Sequence, residues 1–139
     1  MPVQVEMFLR LLLAAVLGSI IGYQRERHGK PAGVRTLGLI GVGSGLFGVT
    51  SMLGFHGSNP SVIAAGVVTG GGFLGAGAIL HRQAGVEGLT TAATIWVTAG
   101  VGLAAGAGLY ILAPEVTAIS VIILLLPHKE IKYIAEPHK

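Results

Sequence analysis

From Thr36 to Leu80 the chain carries no Lys, Arg, Asp or Glu, and the same holds from Gly88 to Pro114 and from Leu11 to Gln24. A helix at a water-facing surface needs a polar face, and these stretches have none. A bilayer core about 30 Å thick is crossed by about 20 apolar residues per helix. The first stretch has room for two such crossings and each of the others for one. Composition agrees: 11% of the 139 residues are charged, against roughly 25% in an ordinary soluble domain. The sequence therefore predicts an all-α, polytopic integral membrane protein. There is no cysteine, which excludes disulfides and thiolate metal sites.

Five spans are expected, at about 7–23, 36–55, 61–80, 89–107 and 109–127, forming a single domain with a short cytoplasmic tail at 128–139 and no soluble domain after it. In the first, Arg10 precedes an apolar run, but no small-residue cleavage site follows, so it is read as a retained helix rather than a signal peptide. Asn59 and Pro60 mark the turn between the second and third spans. The fifth is short between Pro114 and Pro127 and must begin near Leu109 or Tyr110 to cross. A four-span arrangement, with this segment re-entrant or interfacial, stays open.

Orientation follows from the excess of basic residues on cytoplasmic loops. Arg25, Arg27, Lys30, Arg35, Arg82, Lys129, Lys132 and Lys139 fall on one side, and Arg10 alone on the other. The N-terminus is thus expected outside and the C-terminus in the cytoplasm of a bacterial inner (cell) membrane. The net charge of +3 is explained by topology and by contact with the lipid bilayer, and no nucleic-acid partner is invoked.

Glycine makes up 23 residues, and Gly-x-x-x-Gly occurs at Gly18/Gly22, Gly41/Gly45, Gly66/Gly70, Gly71/Gly75 and Gly102/Gly106. In lipid, helices associate through close backbone approach, which small residues permit. Glycine-mediated packing of the five helices is expected, with homo-oligomerisation, as a dimer, through any glycine face left over. Gly70, Gly71 and Gly72 in a row are the strongest candidate for a broken helix. With Gly75 they also match G-x-G-x-x-G, but a dinucleotide site needs a strand–helix unit around it, and this string lies inside an apolar span.

No carboxylate or histidine falls in mid-span, and no nucleophile–base arrangement can be defended, so an enzyme is not expected. Two polar groupings remain. In the first, Glu26 lies among Arg25, Arg27, Lys30 and Arg35. It can order that loop, or serve as a hard oxygen ligand for a metal such as Mg2+; the cations around it suit an anion or phosphate equally well. In the second, Thr90, Thr94 and Thr98 fall on one helical face with Thr91 beside them. They either bond their own i−4 carbonyls or line a weakly polar route. Trp96 is too deep for an interface anchor and is expected between helices.

The blocks Gly22 to Arg27 with Lys30 to Thr36, Gly70 to Gly77, and Gly88 to Trp96 together resemble the MgtC/SapB family of bacterial inner-membrane proteins. The resemblance implies a small multi-span domain tied to growth or virulence under magnesium limitation. The family is often labelled as magnesium-transporting. Its motif positions fall here on Glu26, Arg27, Arg35, Thr36, Gly72, Gly75, Gly77, Thr90, Thr91, Thr94 and Trp96. Two expectations follow. One is a protein that binds or conducts a divalent cation through Glu26 and the threonines. The other is a regulatory module docking on a membrane-protein partner such as a cation pump or the ATP synthase. The missing mid-membrane carboxylates favour the second.

Overall fold

The computed structural model describes residues 2–83 and 85–128; the tail bearing Lys129, Lys132 and Lys139 lies outside the described residues. Five helices are present: α1 (Val3–Arg27), α2 (Val34–Leu53), α3 (Ser61–Ala76), α4 (Leu89–Gly106) and α5 (Leu112–Leu124). Of these, α1, α2 and α4 are long and apolar enough to cross a membrane, while α3 and α5 are shorter apolar helices. Helix α4 sits centrally, packed against each of the other four.

The surface is apolar where a soluble protein's is polar. Phe73 is 79% exposed and Ile111 75%. The interior combines alanines with branched aliphatic side chains: Ala14, Ala105 and Ala113 pack with Leu17 and Val101, and Ile21, Leu37 and Ile95 form a second cluster. This is the arrangement of a membrane protein, in which lipid accepts the large apolar groups and small residues let helices approach.

The helix ends differ from expectation for local reasons. Helix α1 extends beyond 7–23 at both ends, because helical hydrogen bonding does not stop at the apolar boundary. Its first turn holds Glu6 and its last Arg25 and Arg27, each the favourable sign for the helix dipole. It closes with Lys30 N–H on the Arg25 carbonyl and Gly29 N–H on that of Glu26, with Gly29 at φ 65°, a left-handed cap that glycine takes at low cost. Helix α4 closes in the same way through Gly108 at φ 85°. Residues 109–111 are spent on that reversal, so α5 starts at Leu112 rather than at Leu109 or Tyr110.

Helix α3 ends at Ala76, not at Leu80. The chain turns there into a two-stranded antiparallel hairpin, β1 (Leu80–Arg82) and β2 (Gly85–Glu87), pairing Leu80 with Glu87, His81 with Val86 and Arg82 with Gly85. The fold class is all-α as expected, with this one small hairpin added. Gly75 and Gly77 weaken helix propagation, and the ladder satisfies the backbone groups that the helix releases. The Gly70–Gly72 run does not break α3, which continues through it.

Several helix crossings are too close for any side chain. A Cβ at Gly18 would strike the Leu37 carbonyl, and one at Gly41 would come within 2.5 Å of the Ala14 oxygen. Across α2 and α4, Gly102 meets the Gly41 carbonyl and Gly106 that of Gly45. By contrast Gly66 and Gly70 face open space. They line an apolar groove of about 700 Å³ between α2 and α3.

Candidate functional site

The charged side chains gather at the two ends of the bundle. At the first end, Arg10 of α1 ties its helix to the end of α4 and to the loop that follows. Its Nη2 pairs with Glu6 Oε1 at 2.5 Å, Nη1 donates to the Gly106 carbonyl at 3.0 Å, and Nε donates to the Tyr110 hydroxyl at 3.0 Å. The Tyr110 hydroxyl in turn donates to Glu6 Oε1 at 3.1 Å. The basic side chain thus sits on the carbonyl end of α4, where the dipole favours it.

The other end is formed by the C-terminal turns of α1, the N-termini of α2 and α4, and the 28–33 loop. Arg25 and Glu26 are chain neighbours about 100° apart on the helix, and their surroundings are opposite. Arg25 continues the buried face of Ala14, Leu17, Gly18, Ile21 and Gly22 and is only 4% exposed. Its Nε donates to the Pro31 carbonyl at 3.2 Å, and Nη2 donates to the Thr91 hydroxyl in the first turn of α4. Glu26 is exposed. Its Oε1 accepts the Val34 N–H at 3.0 Å, capping α2. A Cβ at Gly33 would overlap the Glu26 carboxylate where it now lies, so a side chain there would displace it from the Val34 N–H. Immediately before Arg25, Gln24 is buried and its Nε2 donates to the Leu124 carbonyl at the end of α5, at 3.3 Å.

The remaining sequence candidates divide. Arg27, Arg35 and Thr36 are exposed around this mouth. Thr90 is exposed, so the threonine stripe is not uniformly inward, whereas Thr91, Thr94 and Thr98 are buried. Thr94 Oγ1 donates to the Thr90 carbonyl and Thr98 Oγ1 to that of Thr94, each at 2.7 Å. Both hydroxyl protons are thereby engaged within their own helix. Thr117 and Ser120 repeat the pattern in α5. Gly75 lies against α4, where a Cβ would come to 2.9 Å from the Ala92 oxygen. Gly77 lies just past the end of α3, and Gly72 is exposed to open space. Trp96 does not pack between helices: it is 54% exposed, flanking Gly71 along one edge. Ile95, Thr98 and Ala99 take the buried face of α4, so Trp96 falls on its outer side, beside a second cavity of about 310 Å³. Among the described residues no three His, Cys, Asp or Glu side chains cluster as a metal site.

Sequence reasoning did not single out Arg25, Gln24 or Arg10 as site residues. For Arg25 the signal was present. Counting from Gly18 by seven reaches Arg25, on the face that the small residues mark as buried; Glu26 and Arg27 leave it.

The bundle and its polar mouth define a small helical membrane protein whose charged groups lie at its ends. The chain belongs to the MgtC family, whose profile matches residues 11–132. It is 46% identical over 132 residues to YhiD of Escherichia coli K12, which is named as a candidate magnesium transporter, covering 89% of this chain and 61% of that one. It is 47% identical over 96 residues to protein MgtC of Brucella abortus, covering 69% of this chain and 40% of that one. With protein SrpB of Synechococcus elongatus the identity is 45% over 115 residues, covering 73% and 63%. The chain thus spans less than two thirds of each of these relatives. No solved structure matches it.

Proposed function

We propose that this chain is a five-span, non-enzymatic module of a bacterial inner membrane. It is linked to magnesium homeostasis and acts by docking on another membrane complex rather than by conducting ions through its own bundle. The observation that carries this reading is the state of the interior. The buried hydroxyls of Thr94, Thr98, Thr117 and Ser120 donate to their own helix backbones, and among the described residues no carboxylate or histidine is buried in the bundle to join them along a route. Transport sites commonly sit near the midplane with polar or ionisable groups, and here the charges lie at the two ends. The link to magnesium rests on family membership and on the name of the Escherichia coli relative.

A second reading, cation binding or conduction through a homodimer with Glu26 as ligand, is favoured by that same name. The Val34 N–H already engages one Glu26 oxygen, which leaves the other for an ion. The deciding experiment is magnesium flux into liposomes holding wild-type protein or Glu26→Gln, alongside crosslinking in native membranes. The docking reading expects wild-type flux equal to that of empty liposomes and one dominant heterologous crosslink. Magnesium flux that Glu26→Gln abolishes would overturn it.

A further inference from the structure

Among the described residues nine polar side chains are buried, and eight of them are hydrogen-bonded. The exception is Ser44, which is 6% exposed. Thr94, Thr98, Thr117 and Ser120 each donate to the carbonyl one turn back. Ser44 makes no such bond, nor one to any other described residue. No buried side-chain oxygen there is both walled in and unpaired, so the Ser44 hydroxyl opens onto the space that Ser44 lines.

That space is the apolar groove of about 700 Å³ between α2 and α3. Gly43, Gly66 and Gly70 border it, each with nothing within 4 Å of a would-be Cβ. Gly71 and Ala99, both buried, line it where it reaches α4. Ser44 is the one polar side chain of the lining, and no charged side chain joins it. It lies ten residues after Val34 and nine before Leu53, about 14–15 Å along α2 from either end. At that depth a bilayer offers no water, and a hydroxyl without a partner in an apolar medium is costly.

The depth and the single hydroxyl select among occupants. A phospholipid acyl chain supplies bulk but carries no oxygen at mid-depth. A second copy offers the same recessed face, and two hydroxyls that each lie below their own surface do not meet across a two-fold axis. An uncharged apolar molecule with a carbonyl satisfies both parts of the groove. Its body fills a volume inside the usual range of small-molecule sites, about 300–1,000 Å³, and its oxygen accepts the hydroxyl proton.

We propose that the α2–α3 groove binds an uncharged, lipid-soluble carbonyl compound, whose oxygen accepts a hydrogen bond from Ser44 at mid-membrane. It enters sideways from the bilayer. The carbonyl belongs to a quinone-type ring or to the ester of a neutral glyceride; the acceptor chemistry is the same.

The test uses the full chain, delipidated in an uncharged detergent. Decylbenzoquinone and dioctanoylglycerol are added separately, with decylbenzene as the control that lacks an oxygen. Thermal stability is read, together with the fluorescence of Trp96, the chain's one tryptophan, which flanks Gly71. A saturable shift with decylbenzoquinone, accompanied by saturable quenching, assigns a ring carbonyl; a saturable shift with dioctanoylglycerol alone assigns a glyceride. Ser44→Ala should weaken carbonyl binding about fivefold and leave any effect of decylbenzene unchanged. Gly70→Leu, whose side chain meets no protein atom as it fills the groove, should abolish binding. Gly72→Leu, equally unobstructed but outside the lining, should keep it. The absence of a saturable shift with both carbonyl probes overturns the proposal, as does binding that survives Gly70→Leu or is equal in wild type and Ser44→Ala. Probes that fail while Gly70→Leu dissociates a wild-type dimer would give the groove to a second copy instead.

Discussion

At the scale of single residues, the most informative is Glu26, because its two roles separate by substitution. As the cap of α2 it contributes through one hydrogen bond to Val34 and through its charge at the helix N-terminus. Glu26→Ala loses both and should cost about 1 kcal/mol of stability. Glu26→Gln keeps an accepting oxygen and loses the charge, so it should cost only about 0.3–1 kcal/mol. Thermal unfolding in detergent, without added magnesium, measures this. Equal stability of wild type and Glu26→Ala would remove the capping role and return the carboxylate to the ion. Arg25 teaches the complementary lesson. Basic residues here were legible as a topology signal. Which of them is buried was legible only from helical phase, which requires knowing which face of α1 the glycines press inward.

Between elements, the decisive quantity is the distance between backbones. Gly102 and Gly106 lie against the Gly41 and Gly45 carbonyls, whereas Gly43 and Gly100 have nothing within 4 Å of a would-be Cβ. Gly102→Ala must push α2 and α4 apart, and overpacking of this kind costs about 1–3 kcal/mol. Gly43→Ala meets no obstacle and replaces a poor helix former with the best one, so it should be neutral or stabilising by up to about 1 kcal/mol. Unfolding midpoints of the two single variants test the contrast, and an equal effect would show that position along the helix matters more than the crossing. The existence of five helices was readable because runs without charge have one favourable fold in lipid. Their ends were not. The boundary of α3 and the hairpin after it depend on Gly75 and Gly77 releasing the helix next to Arg82, and the start of α5 depends on the reversal at Gly108. Such local backbone choices leave hydropathy unchanged. Trp96 escaped for a related reason: depth along a span says nothing of which side of the helix faces lipid.

For the whole molecule, the open quantity is its orientation across the bilayer, and the charge distribution makes a specific prediction. Arg25, Arg27, Lys30, Arg35 and Arg82 lie on loops or helix ends that the bundle places at one side, and Arg10 lies at the other end of α1. Basic loops are retained in the cytoplasm, so the α1–α2 loop and the hairpin should face inward and the turn at 55–60 outward. The sequence has no cysteine, so single-cysteine labelling needs no prior removal of native thiols. Ser58→Cys, in the exposed turn, should react with a membrane-impermeant maleimide in intact cells. Gln83→Cys, at the exposed tip of the hairpin, should react only after the membrane is opened. The reverse pattern would invert the topology. Labelling of both in intact cells would mean that α3 does not cross, and the short helices would then lie within one leaflet. The inward placement sets the exposed basic residues of that end, Arg27, Lys30, Arg35 and Arg82, against the anionic inner leaflet, whose surface potential attracts them.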